Sequence, residues 1–141
     1  MKNVLILIAI VITVSCTEPI GDRANTTLIN NSGHSIEMQI YHSGEFQSVT
    51  IIDNNKTKEY QDGGKPGLTV GFFLPPFDAD SIRIIYFKKA SIWHTEDENS
   101  PVSRSLMLES SYEGGKVRDG LYEFTYTFTP EDYEEALEFG E

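Results

Sequence analysis

The segment LYEFTYTF, residues Leu121–Phe128, decides the fold class. Its aromatic side chains occupy every second position, and the side chains between them are polar. Such strict alternation is typical of a β-strand with one buried face and one face toward solvent. The segment therefore predicts a strand that packs on a hydrophobic core through Tyr122, Phe124, Tyr126 and Phe128.

The residues after this strand predict a short C-terminal helix. Thr129 suits the N-cap position, Pro130 suits the first helical position, and Asp132 completes a capping box with Thr129. Tyr133 and Leu137 are four positions apart and share one helix face. We expect the helix to dock on the rest of the domain through these two side chains.

Shorter segments with the same alternation precede the aromatic strand. Ser35–His42 and Gln47–Asp53 each place apolar side chains on one face, and Val49 and Ile51 mark that face in the second segment. Ser81–Lys89 carries apolar side chains on both faces, which predicts a central strand covered from both sides. Weaker strand patterns occur at Thr26–Asn30, Thr57–Gln61, Leu68–Phe72 and Ser91–Thr95.

Turn-forming residues separate these strands. Asn30–Gly33 is suited to a hairpin turn, and Glu113–Gly120 reads as a turn-rich connection. About seven short strands with one terminal helix predict a mainly β fold, a single antiparallel β-sandwich of Ig-like type. A small β-barrel is the alternative.

The N-terminus has the three parts of an export signal. Lys2 supplies the positive start, Val4–Val14 is almost entirely apolar, and Ser15-Cys16 ends the segment. These eleven positions, ten of them apolar, are too few to cross a bilayer, which needs about 20. Cys16 is the only cysteine of the chain, and it lies where a lipoprotein signal requires one.

Ile12-Thr13-Val14-Ser15-Cys16 resembles the lipobox of bacterial lipoproteins, with Thr13 in place of the usual leucine. The resemblance implies cleavage before Cys16 and a lipid anchor on its sulfur. The C-terminal pattern Tyr-x-Phe-x-Tyr-x-Phe-Thr-x-Glu-Asp-Tyr, residues 122–133, resembles the end of small exported lipoproteins of Bacteroidota. That group has no assigned activity, so the resemblance implies a place in the cell envelope, at the outer membrane. Neither the periplasmic nor the surface leaflet is favoured.

These observations divide the chain into three parts. Residues 1–15 form the signal peptide, residues 16–25 the lipidated cysteine with a polar tether, and residues 26–141 one β-sandwich domain with its helix. Removal of Lys2 with the signal leaves ten basic and 22 acidic side chains, a formal net charge of −12. Such a surface repels phosphate backbones, so no nucleic-acid partner is expected.

Few residues suggest a functional site. Phe73 and Phe77 lie in an aromatic stretch stiffened by Pro75-Pro76, and with Trp93 they form the candidate binding surface. The competing interpretation places these rings in the core. Asp80-Ser81-Ile82 resembles the acceptor motif of Bacteroidota O-glycosylation, which makes Ser81 a candidate for modification.

No catalytic pattern supports an enzyme. The chain has neither a Gly-x-Ser-x-Gly elbow nor a His-Glu-x-x-His motif, and its three histidines lack metal-ligand spacing. We expect no cofactor and no metal. The sequence therefore favours a lipid-anchored, non-enzymatic binding or accessory module, whose partner is an envelope protein or a neutral glycan. The alternative is a small envelope hydrolase with a site assembled by the fold.

Overall fold

The computed structural model describes residues 21–63, 79–87, 89–97 and 102–139. They form two four-stranded sheets packed face to face, with one short C-terminal helix. The predicted β-sandwich is therefore confirmed, and the barrel alternative is wrong because no hydrogen-bonded pair joins the two sheets within the described residues. The expected strand at residues 68–72 lies outside them.

Eight strands, one 3-10 turn and one α-helix make up the described chain. In order they are β1 (Arg23–Asn30), β2 (Ile36–His42), β3 (Glu45–Ile52), β4 (Lys56–Gly63), β5 (Ser81–Tyr86), β6 (Ala90–Thr95), a 3-10 turn (Glu109–Ser111), β7 (Glu113–Arg118), β8 (Leu121–Phe128) and α1 (Pro130–Phe139).

The first sheet has the strand order β4-β1-β8-β7. β1 and β8 run parallel, with Leu28 opposite Tyr126, while the other pairs in this sheet are antiparallel. The sandwich is therefore antiparallel, as predicted, except for this one pair. β1 also begins at Arg23, so the last three residues of the expected tether are part of a strand.

The second sheet has the order β3-β2-β5-β6 and is antiparallel throughout. β5 lies inside this sheet, as predicted, but only the face with Ile82, Ile84 and Tyr86 is buried. The expected cover on its second face is not found among the described residues. A two-residue turn connects β2 to β3, and both of its residues, Ser43 and Gly44, have positive φ angles of 53° and 76°. That conformation matches the twist of a hairpin and suits glycine.

Asn30–Gly33 carries the chain from one sheet to the other and does not form the expected hairpin, because β1 and β2 belong to different sheets. The buried Asn30 amide stabilises this crossing. Its Nδ2 donates to the carbonyls of His34 and Ile52 at 2.8 and 2.7 Å. Its Oδ1 accepts from the backbone N–H and the hydroxyl of Ser32 at 3.1 and 2.7 Å.

The core lies between the two sheets and follows the predicted alternation. The aromatic face of β8 meets aliphatic side chains from β1, β2 and β5. Fully buried members of this core are Leu28, Ile36, Met38, Ile82, Ile84, Tyr86, Tyr126 and Phe128.

Two sequence expectations about strands were wrong. Glu113–Arg118 forms the strand β7, although its sequence indicates a turn-rich connection. Its Gly114 has a φ of 109°, which glycine adopts easily. Alternation of side chains does not predict a strand that contains such residues. In β3 the apolar face that carries Val49 and Ile51 points to solvent, and Ile52 is the residue that enters the core.

α1 begins as predicted, with Pro130 as its first residue, but docks differently. The Asp132 carboxylate accepts from the Thr129 backbone N–H at 2.7 Å and from Arg104 Nη2 at 2.5 Å. Ala136 is buried and Tyr133 packs against the core. Leu137 is 56% exposed, so the expectation that it docks the helix was wrong.

His94 on β6 is buried in the interior, and its Nδ1 accepts from the backbone N–H of Leu106 at 3.1 Å. Burial in an apolar environment lowers the pKa of His94 from 6.5 to about 4, because desolvation disfavours the imidazolium. His94 is therefore a structural, neutral histidine at pH 7.

Helix docking predicts opposite outcomes for two substitutions. Asp132→Ala removes the cap and leaves Arg104 without its carboxylate, which should lower the free energy of unfolding by about 3 kcal/mol. Leu137→Ala trims an exposed side chain and should change that free energy by less than about 0.5 kcal/mol. Urea denaturation of both variants measures this, and a larger loss for Leu137→Ala would contradict the docking.

Burial of His94 predicts a pH dependence of stability. The unfolded chain takes up a proton at His94 near pH 6.5, whereas the folded chain resists it down to about pH 4. The free energy of unfolding should therefore fall by about 2 kcal/mol between pH 7 and pH 5. His94→Gln keeps an acceptor for Leu106 and should remove most of this slope; an unchanged slope in urea titrations would show that another group causes it.

Candidate functional site

The solvent-facing sides of the two sheets differ in chemistry. The outer side of the first sheet is mainly polar, with Asn25, Thr27, Glu123, Thr125 and Thr127 pointing away from the core. The outer side of the second sheet carries large apolar residues, and we call it the outer face. Its exposed members include Phe46, Val49, Ile51 and Phe87, which are 55%, 49%, 66% and 62% exposed.

This number of exposed apolar side chains is unusual for a surface that contacts only water. Single exposed apolar side chains are common, but neighbouring ones on one sheet mark an interaction surface. Cross-strand register shows that these residues are neighbours: Ile51 pairs with Glu37, which in turn pairs with Ile85. Val49 pairs with Gln39 in the next row. The outer face is therefore the strongest candidate site in the described chain.

An aromatic cluster of Tyr41, Phe46 and Trp93 occupies one end of the outer face. The Tyr41 ring centroid lies 5.0 Å from that of Trp93 and 5.8 Å from that of Phe46. The guanidinium of Arg83 lies 5.6 Å from the Trp93 ring centroid, within cation–π range. Three strands thus contribute to the cluster, and the sheet hydrogen bonds fix their spacing.

Polar contacts hold these side chains in place. The Tyr41 hydroxyl donates to Gln39 Oε1 at 2.9 Å, and Gln39 Nε2 donates to Glu37 Oε1 at 2.7 Å. Arg83 donates to the Ser91 hydroxyl at 2.9 Å through Nη2 and at 3.2 Å through Nε. Side chains already ordered in this way lose less conformational entropy when a partner binds.

An apolar groove of about 310 Å³ lies at the other end of the outer face. Phe87 forms one wall from the turn between β5 and β6, with a φ of 46° that is rare for a bulky residue. Strained backbone of this kind concentrates at binding and catalytic sites. The lining residues are Ser35, Ile36, Glu37, Ile51, Ile85 and Phe87.

The predicted site residues do not all lie on one surface of the described chain. Trp93 lies on the outer face and is half-buried by its neighbours, so it belongs to the candidate surface. Ser81 begins β5, and its hydroxyl donates to Asp80 Oδ1 at 2.9 Å; its modification stays a prediction. Cys16, Phe73 and Phe77 lie outside the described residues.

Sequence analysis missed most of the outer face. The sequence pattern places Tyr41 and Arg83 in strands without indicating a site, and it marks Val49 and Ile51 only as one face of a strand. A bulge at Gln47, where two residues of β3 oppose one of β2, changes the phase of the alternation and hides the outward apolar row. The clearest available signal was the run Phe46–Ile52, which has no charged residue.

Groups with strongly raised or lowered pKa values are core residues: burial raises the pKa of the Tyr112 and Tyr126 hydroxyls and lowers that of His94. Across residues 21–63, 79–87, 89–97 and 102–139, no three His, Cys, Asp or Glu side chains gather in a way that suits a metal ion. Those same ranges contain no helix of the length and apolarity needed to span a bilayer.

Comparison of this chain with known protein families, with curated proteins and with solved structures gave no match.

Proposed function

We propose that this chain is a lipid-anchored protein of the cell envelope, held at the outer membrane by a lipid on Cys16. Its domain acts as a non-enzymatic binding module that docks a protein partner on the outer face. The observation that carries the proposal is the aromatic cluster of Tyr41, Phe46 and Trp93, set on a sheet surface beside exposed aliphatic residues.

The composition of the outer face favours a protein over a glycan. Trp, Tyr and Arg are the residues most enriched where binding energy concentrates in protein interfaces, and Trp93, Tyr41 and Arg83 lie together. Val49 and Ile51 extend the apolar area beyond the rings. A hydrated sugar gains little from covering aliphatic side chains, whereas the apolar side chains of a protein gain from it. A neutral glycan on the aromatic cluster is the second candidate.

The net charge of the chain limits which partners are favoured. The mature chain has a formal net charge of −12, so acidic partners and nucleic acids are repelled and neutral or basic ones are favoured. The absence of catalysis belongs to the same proposal: burial causes the large pKa shifts of His94 and Tyr112, and both side chains lie away from the outer face. A small envelope hydrolase is the alternative.

The anchor predicts a clear fractionation result. Cys16→Ser removes the sulfur that would carry the lipid, so the protein should move from the membrane fraction to the soluble envelope fraction. Mass spectrometry of the wild-type protein should show the lipid on residue 16. Full retention of the variant in membranes, with no lipid mass on the wild type, would refute the anchor.

Site-specific photo-cross-linking in intact cells tests the docking proposal. A photoreactive phenylalanine analogue replaces Phe46 on the outer face or, as a matched control, the equally exposed Val117 on β7. We expect a discrete protein adduct from position 46, none from position 117, and loss of the adduct when Trp93→Ala is added.

Two other results would change the conclusion. Equal adducts from both positions, or none, would contradict a docking surface for a protein. A glycan array that binds the wild-type domain and not Trp93→Ala, without any protein adduct, would establish the glycan as the ligand instead.

A further inference from the structure

The two sheets have four edge strands, and three of them are protected against pairing with another chain. β4 carries Lys56, Lys58 and Glu59, and charged side chains on an edge discourage strand addition. β7 has adjacent Gly114 and Gly115 with positive φ angles and a register shift before Arg118. An irregular, charged edge of this kind does not accept a regular strand.

The edge at β6 is covered by the chain itself. The Ser105 hydroxyl donates to the carbonyl of Thr95 at 2.7 Å, and the backbone N–H of Leu106 donates to His94 at 3.1 Å. Helix α1 also packs against β6. The second sheet is therefore closed on this side by residues that follow β6 in sequence.

The edge at β3 is less protected than the other three. Within the described residues β3 pairs only with β2, so one side of its backbone has no strand beside it. Phe46–Ile52 contains no charged residue, no proline and no glycine. The bulge at Gln47 leaves Ser48–Ile52 in regular antiparallel register. A regular, uncharged edge with exposed Val49 and Ile51 is a template for another strand.

We propose that the protein partner docks by adding an extended segment to the free edge of β3, antiparallel or parallel to it, so that the second sheet continues into the partner. This inference rests on the proposed docking function and names its mode. Backbone hydrogen bonds supply part of the affinity, and alternate apolar side chains of the segment pack beside Val49 and Ile51 on the outer face.

Charge defines the chemistry of the added segment. Residues 31–55 contain no Lys or Arg, while Glu37, Glu45 and Asp53 lie on or beside this edge. A segment with basic residues next to its apolar positions is complementary to these carboxylates. A second copy of the chain is disfavoured, because symmetric antiparallel pairing of two β3 strands brings Glu45 of one copy close to Asp53 of the other.

A synthetic peptide tests this mode on the mature chain carrying Cys16→Ser. The probe is fluorescein-labelled KTVTVTK, compared with ETVTVTE and with two isomeric N-methylated forms of KTVTVTK. One form is N-methylated at the two valines, and the other at the last two threonines. N–H groups of alternate residues point to the same strand edge, so the two isomers block opposite edges of the peptide. Only one of them blocks the edge that would pair with β3. We expect binding of KTVTVTK by fluorescence anisotropy, loss with only one isomer, and about tenfold weaker binding of ETVTVTE.

Protein variants complete the design. V49K/I51K places cationic side chains at exposed positions of the edge and should weaken KTVTVTK binding by about tenfold, while V117K on β7 should leave it unchanged. No binding up to about 1 mM peptide, or equal behaviour of the two N-methylated isomers, would overturn strand addition. Dimerisation abolished by V49K/I51K in sedimentation analysis would overturn it in favour of a second copy. A persistent cross-link from position 46 alongside a negative peptide result would leave docking intact and reject only this mode.

Discussion

The carboxylate of Asp132 accepts hydrogen bonds from the Thr129 N–H and the Arg104 guanidinium, and the other contacts at this end of the sandwich depend on it. Arg104 also donates to the Thr127 carbonyl at 2.9 Å, and its guanidinium lies 4.9 Å from the Tyr126 ring centroid. The Tyr126 hydroxyl in turn donates to the Arg104 carbonyl at 3.0 Å. One ion pair thus joins β8, the start of α1 and the segment before the 3-10 turn. A largely buried carboxylate is stable here because Thr129 and Arg104 both donate to it.

This junction determines which surfaces stay open. Because α1 and the segment around Ser105 and Leu106 are held against β6, that edge of the second sheet is covered. The opposite edge, β3, has no equivalent cover among the described residues, and the outer face between the two edges carries the aromatic cluster. The sandwich is therefore asymmetric: one sheet presents a polar surface to solvent, and the other presents a preorganised apolar surface with an open strand edge. Protein partners use both kinds of feature.

Alternation in the sequence predicted the strands well, because side chains in β2, β5 and β8 alternate in step with burial. The start of α1 could also be predicted, because Thr129, Pro130 and Asp132 are close in sequence and interact with one another. Features that depend on residues distant in sequence could not be predicted. The parallel pairing of β1 with β8 joins the two ends of the domain, and no local pattern encodes it. Leu137 fits the apolar face of the helix, yet Ala136 and Tyr133 are the helix residues that pack on the core, and Leu137 is exposed. The outer face was not predicted because it is built from four strands, each contributing one to three side chains.

Docking on the outer face requires that this face be open to solvent in the free protein. Paramagnetic relaxation by a soluble gadolinium chelate measures this directly on methyl-labelled mature chain carrying Cys16→Ser. The methyl groups of Val49 and Ile51 should relax strongly, whereas those of the fully buried Ile82 and Ile84 provide the protected reference. Protection of Val49 and Ile51 equal to that of Ile82 and Ile84 would mean that another part of the chain covers the outer face, and would contradict the account.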